Sequence, residues 1–313
     1  MSQTLDVTIV LVNFNQSRFF EQAWKSIDSQ LVKPSHVFVV DDGSHESDVA
    51  VVKKIIHSHP LSDVMEFFDG QNLGISQRLN KVLPSITTEW FIVLAADDML
   101  LPNSLAQYAS AVTNDVDVLW GDLELMDESG DDLHLARPRD TWQGPIARRY
   151  VAGGYPFEDL LKFNNFVPGG MSLIRTEVIR RANGWDSEIT TEDFDLWLRI
   201  GESSKFTYVA QSVGRYRIVQ GSKSRRDSHK LFDQAKFLGK QVGKSSEIDR
   251  DVAYLAAMRW AFTIFRTRKL PAASLKQMAE IMALSPWKLR SQLPRAVWIP
   301  VSRAIAARVK RLT

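Results

Sequence analysis

The first 120 residues alternate between short apolar runs and helical patterns, and this alternation constrains the fold more than any other feature of the chain. The segments between the runs carry apolar residues at helical spacing, as in Phe20, Trp24 and Ile27, and Ser17 is the expected N-cap of that helix. The pattern predicts an α/β fold, in which a mostly parallel sheet carries helices on both faces. The apolar runs lie at 7–12, 36–40, 64–68, 90–96 and 116–120.

Three polar motifs follow predicted strands and are therefore expected at one edge of the sheet, where ligands of such folds bind. They are 12–15, 41–44 and the pair Asp97 and Asp98, which closes the run 90–96. Adjacent carboxylates repel each other, and a divalent cation that also binds a diphosphate removes that penalty. The alternative is an acidic turn in which one aspartate caps the next helix, expected over 102–113.

Five segments together resemble the family-2 glycosyltransferases of the GT-A fold, in the order and spacing of that family. The resemblance covers roughly residues 5–220 and implies a Rossmann-like, nucleotide-sugar-dependent domain over 1–226. Residues 1–120 would form its nucleotide-binding half and 121–226 its acceptor and catalytic half, followed by a helical, basic extension over 227–313. The segments are TIVLVNFNQ (8–16), VVDDGS (39–44), NLGIS (72–76), DDMLLP (97–102) and NGWD…EDFDLWLR (183–199).

By this resemblance, the end of the first strand and the acid after the second strand hold the base of a nucleoside-diphosphate sugar. Val12, Phe14 and Asn15 are thereby assigned to the donor site, and Asp41 to a hydrogen bond with the base. Phe14 can stack on a flat ring. Family members often carry Thr or Pro at position 12 and Tyr at position 14, so hydroxyl contacts are lost here. An ordinary turn would explain residues 41–44 equally well, because Asp, Gly and Ser are common turn residues. Asp42 and Ser44 are expected to be structural.

The acidic pair, Asp97 and Asp98, resembles the metal motif of the family. Asp98 is implied to bind Mg²⁺ or Mn²⁺ bridging the two phosphates, and Asp97 to lie against the ribose or in the hydration shell of the metal. The metal would stabilise the leaving nucleoside diphosphate. Arg78, in the segment after the third strand, could contact the phosphates. The alternative for Arg78 is an exposed surface arginine.

The segment EDFDLWLR resembles the part of the family that supplies the general base. Asp193 is the expected base, which takes the proton of the acceptor hydroxyl during inversion at the anomeric carbon. Glu192 is its competitor, although an acidic first turn also suits the helix dipole. Asp195 is expected on the helix surface or anchoring a loop, and Trp197 in the core.

One departure concerns the segment after this helix, where relatives often carry a Tyr-Arg-x-His sequence whose histidine can touch the metal or phosphate. No histidine occurs between His134 and His229. Gln220 could replace it, or Lys223, Arg225 and Arg226 could contact the diphosphate from a closing loop. A solvated basic loop is the alternative.

Composition limits the remaining possibilities. The chain has no cysteine, no opening apolar segment typical of a secretory signal and no apolar stretch near 20 residues, so a soluble, cytoplasmic protein is expected. After Glu280 there is no acidic residue but seven basic ones. This basic tail over 285–313 resembles an interfacial helix on an anionic membrane, with a packed accessory helix as the alternative. No aromatic and basic platform indicates nucleic-acid binding.

The resemblance thus implies metal-assisted, inverting transfer of a sugar from a nucleoside-diphosphate donor to a saccharide or lipid-linked acceptor, in cell-surface polysaccharide or glycan assembly. A sugar-phosphate nucleotidyltransferase is one alternative, although the chain lacks a Gly-rich phosphate loop near its N-terminus. A non-catalytic protein that binds nucleotide sugars during assembly is another. A dinucleotide-dependent dehydrogenase is disfavoured, because no Gly-x-Gly-x-x-Gly turn follows the first strand.

Overall fold

The computed structural model describes residues 4–61, 63–134, 143–163, 165–189 and 191–219. The strands are β1 (Val7–Asn13), β2 (His36–Asp41), β3 (Val64–Phe67), β4 (Trp90–Ala95), β5 (Met99–Leu100), β6 (Val118–Met126), β7 (Leu173–Arg175) and β8 (Phe206–Arg217). The helices are α1 (Ser17–Asp28), α2 (Glu46–Ser58), α3 (Ile75–Val82), α4 (Ser104–Ala111), α5 (Gln143–Ala147), α6 (Phe157–Phe163), α7 (Thr176–Arg181) and α8 (Glu192–Ile200). Short 3₁₀ turns lie at Leu83–Ser85 and Arg148–Tyr150.

One eight-stranded sheet organises these elements, in the order β3-β2-β1-β4-β7-β6-β8-β5. Strand β1 runs parallel to β2 and β4, β2 to β3, and β6 to β8. Strand β7 is antiparallel to β4 and β6, and β5 is antiparallel to β8. The predicted α/β class with a mostly parallel sheet is confirmed, and each of the five predicted strands is present. Strand β6 ends at Met126, beyond the predicted end at residue 120.

Both faces of the parallel strands are covered. Ile9 and Leu11 of β1 belong to a core that also contains buried side chains of α1, α2 and α4. Val10 and Phe91 point to the other face and are fully buried as well. Burial on both faces is the reason that these strands are continuous apolar runs instead of alternating ones.

The start of α1 differs from the prediction. The helix begins at Ser17 and its N-cap is Gln16, which makes no side-chain capping bond. The main-chain N–H of Ser17 instead donates to Oδ1 of Asp48 on α2, at 2.9 Å. The prediction of Ser17 as N-cap is therefore wrong, because an acceptor from a neighbouring helix satisfies the first turn.

The sheet and the helices packed on it form one compact unit, whereas residues 161–163, 188, 189 and 191 belong to a second unit, most of which lies outside the described residues. Within the described part of the chain, none of the helices has the length and apolar character needed to span a bilayer.

Candidate active site

The carboxyl ends of β1, β2 and β4 meet at one edge of the sheet. Val12 is in register with Val40 on one side and with Ala95 on the other. Beyond the strands, the main-chain N–H of Ala96 donates to the Val12 carbonyl at 2.9 Å, and that of Asp42 donates to the Asn13 carbonyl at 2.9 Å. The three motifs therefore converge, as the strand pattern predicted.

Asp41 closes β2 inside a dense hydrogen-bond network and is only 1% exposed. Its Oδ1 accepts the N–H groups of Gly43 and Ser44 at 3.0 and 2.8 Å. Its Oδ2 accepts the Ser44 hydroxyl at 2.6 Å and the side-chain amide of Asn13 at 2.7 Å. These bonds occupy the acceptor positions of the carboxylate. A bond from Asp41 to a base stays a prediction, and it would require one of them to be exchanged.

The other residues assigned to the base lie beside this turn. Val12 and Phe14 are half-buried, and Asn15 is exposed with a φ of 54°. The N–H of Asn15 donates to the Ser44 hydroxyl at 2.8 Å, and its side-chain oxygen accepts the N–H of His45 at 2.9 Å. These two hydrogen bonds join the 12–15 segment to the turn at 41–44, so the two segments form one continuous surface at this edge.

Arg78 on α3 is 1% exposed, so the alternative of an exposed surface arginine is wrong. Its Nε donates to Oδ1 of Asp42 at 3.4 Å and its Nη1 to Oδ2 of Asp69 at 2.8 Å, while Nη2 contacts the Gln71 carbonyl. Asp42 also accepts the N–H groups of Leu73 and Gly74 at 3.0 and 3.1 Å. Asp42 is therefore structural, as predicted. A contact from Arg78 to a phosphate stays a prediction that would require one of these bonds to be released.

The acidic pair follows β4 directly and precedes the short strand β5. Asp97 is half-buried and Asp98 is 6% exposed. Neither aspartate caps the next helix, because α4 begins at Ser104, its N-cap is Asn103 and its first turn has no acidic residue. The alternative of a helix-capping aspartate is therefore wrong.

Both carboxylates of the acidic pair lie where a negative charge is costly. Burial raises the pKa of Asp97, against the attraction of Arg217 and Arg18. Burial and the charge of Asp97 together raise the pKa of Asp98 well above its usual range. A bound cation would favour the charged form of both groups.

The donor set suits a hard divalent cation only in part. Asp98 Oδ1 accepts the main-chain N–H of Arg217 at 2.9 Å, and among the described residues no hydrogen bond reaches its second oxygen. Within the described ranges no group of three or more His, Cys, Asp or Glu side chains could hold a metal ion. The pair therefore fits a cation whose remaining ligands come from elsewhere, such as a diphosphate and water.

Asp193 lies in the first turn of α8 and is half-buried. Its Oδ2 accepts the side-chain amide of Asn165 at 2.9 Å, and its Oδ1 accepts the N–H of Phe194 at 2.7 Å. The backbone of Gly169 lies so close that a Cβ at this position would be 2.6 Å from the Cβ of Asp193. Glu192, the competing candidate, is the first residue of the helix and also half-buried.

The loop 165–171 connects this carboxylate to the edge that carries the acidic pair. Met171, whose φ is 65°, donates its N–H to the Val93 carbonyl of β4 at 2.8 Å. Asp193 contacts Gly169, two residues before Met171, and Asp97 follows Val93 by four residues. The loop thus connects the first turn of α8 to β4 four residues before Asp97, although the two segments are far apart in sequence.

The other residues of α8 hold the helix in place. Trp197 is 1% exposed and its indole N–H donates to the Val167 carbonyl at 3.1 Å, so its predicted place in the core is confirmed. Asp195 is 3% exposed and accepts from Arg199 at 2.8 Å. Arg199 also donates to the carbonyls of Ala182 and Gly184 at 2.8 and 2.9 Å. Asp195 therefore anchors a loop and does not lie on the helix surface.

Sequence reasoning missed three residues of this edge, namely Asn13, Asn165 and Arg217. Asn13 lies within the predicted strand-end segment before the 12–15 motif's Phe14 and Arg217 matches the arginine of the Tyr-Arg-x-His sequence, but neither was given a role, and nothing in its spacing marks Asn165. The predicted substitutes for the missing histidine (Gln220, Lys223, Arg225 and Arg226) and the basic tail over 285–313 lie outside the described residues.

Comparisons with known proteins give a family match and several relatives of low sequence identity. The model of the family described as "Glycosyl transferase family 2" matches residues 8–181, which is more than half of the chain. An uncharacterized glycosyltransferase of Rickettsia conorii is 26% identical over 225 residues, covering 69% of this chain and 35% of that protein. The matched part is thus about a third of the length of this relative. The O-antigen biosynthesis glycosyltransferase WbnJ of Escherichia coli is 20% identical over 62% of this chain and 71% of that protein.

Two solved structures share the fold at low sequence identity. Residues 1–349 of TarS from S. aureus, in complex with UDP-GlcNAc, give a TM-score of 0.70 at 12% identity, covering 98% of this chain and 92% of that one. The mannosyltransferase PcManGT of Pyrobaculum calidifontis, in complex with GDP-Man and Mn²⁺, gives 0.60 at 16% identity, covering 96% and 86%.

Proposed function

The chain belongs to glycosyl transferase family 2, and from this premise we propose that it transfers a sugar from a nucleoside-diphosphate donor to an acceptor hydroxyl, with inversion at the anomeric carbon. One observation carries the proposal. The loop 165–171 donates to β4 at Val93 and also contacts Asp193, which supports a position of this carboxylate near the edge that carries the acidic pair. A cation-binding acid and a proton acceptor at one edge are what such a transfer requires.

The donor is proposed to lie along the ends of β1, β2 and β4. Val12, Phe14 and Asn15 would form the base pocket, with Phe14 stacking on the ring and Asp41 exchanging a bond for the base N–H. The two structural neighbours were solved with UDP-GlcNAc and GDP-Man, which supports a nucleotide-sugar donor. Arg78 contacts Asp69 and Gln71 in the loop 69–74. A contact between Arg78 and a phosphate would require one of these two bonds to be released.

Asp98 and Asp97 are proposed to hold Mg²⁺ or Mn²⁺ together with the donor. When bound, the cation would neutralise the charge that develops on the leaving diphosphate. The presence of Mn²⁺ in the PcManGT complex supports this assignment. The two carboxylates contribute hard oxygen ligands, and the burial of Asp98 weakens the screening of its charge by solvent.

Asp193 is proposed as the general base, with Glu192 as its competitor. The carboxylate would accept the proton of the acceptor hydroxyl while the acceptor oxygen bonds to the anomeric carbon and the bond to the diphosphate oxygen breaks. Asn165 and the N–H of Phe194 hold the two carboxylate oxygens, so the base is oriented before the acceptor arrives.

The test is a screen for metal-dependent release of nucleoside diphosphate from a panel of sugar donors, repeated with Asp98→Ala and Asp193→Ala. Asp115→Ala is the control, because Asp115 is exposed and pairs with Lys205 away from this edge. We expect both active-site variants to lose at least about 100-fold in rate, since one loses the proposed base and the other a ligand of the cation, and the control to keep its rate. Turnover that survives both changes would refute the assigned roles.

Pyrophosphate release from a nucleoside triphosphate and a sugar phosphate, and binding of sugar donors, are measured beside this assay to separate the alternatives. A sugar-phosphate nucleotidyltransferase would release pyrophosphate from a nucleoside triphosphate, and a non-catalytic binding protein would bind donors without releasing diphosphate. Either outcome would contradict the proposal.

The acceptor is proposed to be a saccharide or a lipid-linked saccharide in polysaccharide or glycan assembly, a role that the name of WbnJ supports. Residues 121–226 would form the acceptor half.

The extension 227–313 is proposed to place its basic tail against an anionic membrane surface on the cytoplasmic side. Replacing Arg303, Arg308 and Arg311 by Glu in the whole chain should abolish sedimentation with anionic vesicles. Equal sedimentation of both forms would reject the membrane contact.

A further inference from the structure

Arg217 ends β8 and is 2% exposed beside the acidic pair. Its main-chain N–H donates to Oδ1 of Asp98 at 2.9 Å, and its Nε donates to the main-chain carbonyl of Asp97 at 2.7 Å. Arg217 therefore contacts both members of the pair, because its backbone binds Asp98 and its side chain binds Asp97.

The rest of the guanidinium is bound to two other elements. Its Nη1 donates to the carbonyls of Asp127 and Glu128, each at 3.0 Å, in the turn after β6. Its Nη2 donates to Oε1 of Gln22 on α1 at 2.6 Å, and the Cζ atom of Arg217 lies 4.6 Å from the centroid of the Phe19 ring. Arg217 thus joins α1, the end of β6 and the end of β8 to the turn that holds the acidic pair.

The charge of Arg217 is not neutralised by direct contact. The four oxygens that its side chain reaches are main-chain carbonyls or a side-chain amide, and among the described residues no carboxylate lies within ion-pair distance of it. Burial lowers the pKa of Arg217, and the charges of Asp98 and Asp97 oppose that effect. A buried cation without a paired anion is costly, and the neighbouring charges of Asp97 and Asp98 offset this cost, which indicates that Arg217 acts on the acidic pair.

We propose that Arg217 is the positioning residue of the acidic pair, fixing the turn so that the Asp98 carboxylate is held ready for a divalent cation and the diphosphate. This inference rests on the proposed function, because it requires Asp98 to bind the cation with the donor. Residues that orient metal ligands without touching the metal typically change metal affinity or activity by about 10-fold to 100-fold when they are replaced.

Arg175 provides a matched control at the opposite end of β4. It also stacks on an aromatic ring, with its guanidinium 4.3 Å from the ring of Trp90, and it donates to the main-chain carbonyl of Val116 at 2.9 Å. It is in register with Trp90 at the start of β4, so it lies at the other end of the strand from the acidic pair. Its side chain is 20% exposed and also pairs with Glu89 and Asp117, so Arg175→Lys tests the loss of a ring-stacked arginine away from the acidic pair and not an equal loss of stability.

The experiment measures Mn²⁺ binding by electron paramagnetic resonance, with UDP or GDP present, in the whole chain and its variants. We expect Arg217→Lys, which keeps the charge but loses the forked geometry, to weaken Mn²⁺ binding by about 10-fold or more. Arg217→Gln should weaken it further, and Arg175→Lys should bind within about twofold of the unchanged protein. Gln22→Ala, which removes one acceptor of Arg217, should weaken binding by about threefold.

A second readout separates positioning from general damage. The rate of diphosphate release in Arg217→Lys should recover as Mn²⁺ is raised, whereas a loss of folded protein would lower the rate equally at every Mn²⁺ concentration. Gln22→Ala keeps the inference testable where a replacement of Arg217 fails to fold.

Two failures are distinguishable. If the unchanged protein binds no Mn²⁺ with either nucleotide, the proposed function fails and the inference fails with it. If the unchanged protein binds Mn²⁺ and the Arg217 and Gln22 variants bind it equally well, only the inference is overturned.

Discussion

Asn165 donates its side-chain amide to Oδ2 of Asp193 at 2.9 Å. The same oxygen would lie 2.8 Å from a Cβ placed on Gly169, so the loop 165–171 surrounds this carboxylate from two directions. The direction in which the proposed base points is therefore decided by a loop that precedes it by more than 20 residues.

Replacing Asn165 by Ala should lower kcat and leave KM for the donor unchanged. The bond orients a charged group, and its loss is expected to cost about 1.5–3 kcal/mol, which corresponds to about 10-fold to 100-fold in rate. The measurement is the initial rate of diphosphate release. Asn103→Ala is the control, because Asn103 is exposed and makes no capping bond. An unchanged kcat in Asn165→Ala would show that the bond does not orient the base.

Gly169→Ala should inactivate the protein far more than Gly170→Ala does. A Cβ on Gly169 would meet the Asp193 side chain at 2.6 Å, whereas a Cβ on Gly170 finds its nearest neighbour, the Val93 carbonyl, at 3.6 Å. The first contact must displace the carboxylate, and the second is an ordinary van der Waals contact. Rates of diphosphate release and thermal midpoints of both variants test this expectation. Equal rates in the two variants would contradict the assigned position of Asp193.

Arg78→Met should lower the free energy of unfolding by about 3–5 kcal/mol, because it leaves the buried Asp42 carboxylate without its cation. Urea unfolding followed by circular dichroism measures the change. Lys81→Ala is the control, since Lys81 is 53% exposed and also contacts Asp69, and exposed pairs contribute about 0–1 kcal/mol. A loss below about 1 kcal/mol in Arg78→Met would show that the buried network does not stabilise the loop 69–74.

Asp69 should make stability depend on pH in the acid range. Hydrogen bonds from Arg78 and then Lys81 hold the pKa of Asp69 well below its usual value in the folded protein. Stability from a lowered pKa is present above the pKa of the unfolded chain and is lost as pH falls from there through the folded pKa. The advantage of the unchanged protein over Asp69→Asn in urea unfolding should therefore be full at pH 7 and shrink below about pH 4.

Lys81→Ala provides the comparison for this pH dependence. It removes one of the two cations that lower the pKa of Asp69, so its stability should change less between pH 7 and the acid range than that of the unchanged protein. A difference between the unchanged protein and Asp69→Asn that stays constant from pH 7 to the acid range would contradict the assigned cause.

Much of the fold and the order of the site motifs could be predicted from the sequence, because both depend on local pattern. The continuous apolar runs of β1 and β4 indicate strands buried on both faces, and their ends mark an edge of the sheet. Strand β7 was not predicted, since three residues within a Gly- and Pro-rich segment carry no period, and its antiparallel place between β4 and β6 depends on long-range pairing.

The residue types of the site and the strand ends that they follow can be read from the sequence alone, because side-chain period and strand length are local properties. The burial of Arg78, the bond from Asn165 to Asp193 and the bond from Arg217 to Asp98 across 119 residues of chain emerge only from the packing of the folded protein. These relationships are contacts between elements, and their geometry follows from how the sheet and helices pack, which no periodicity within a single element specifies.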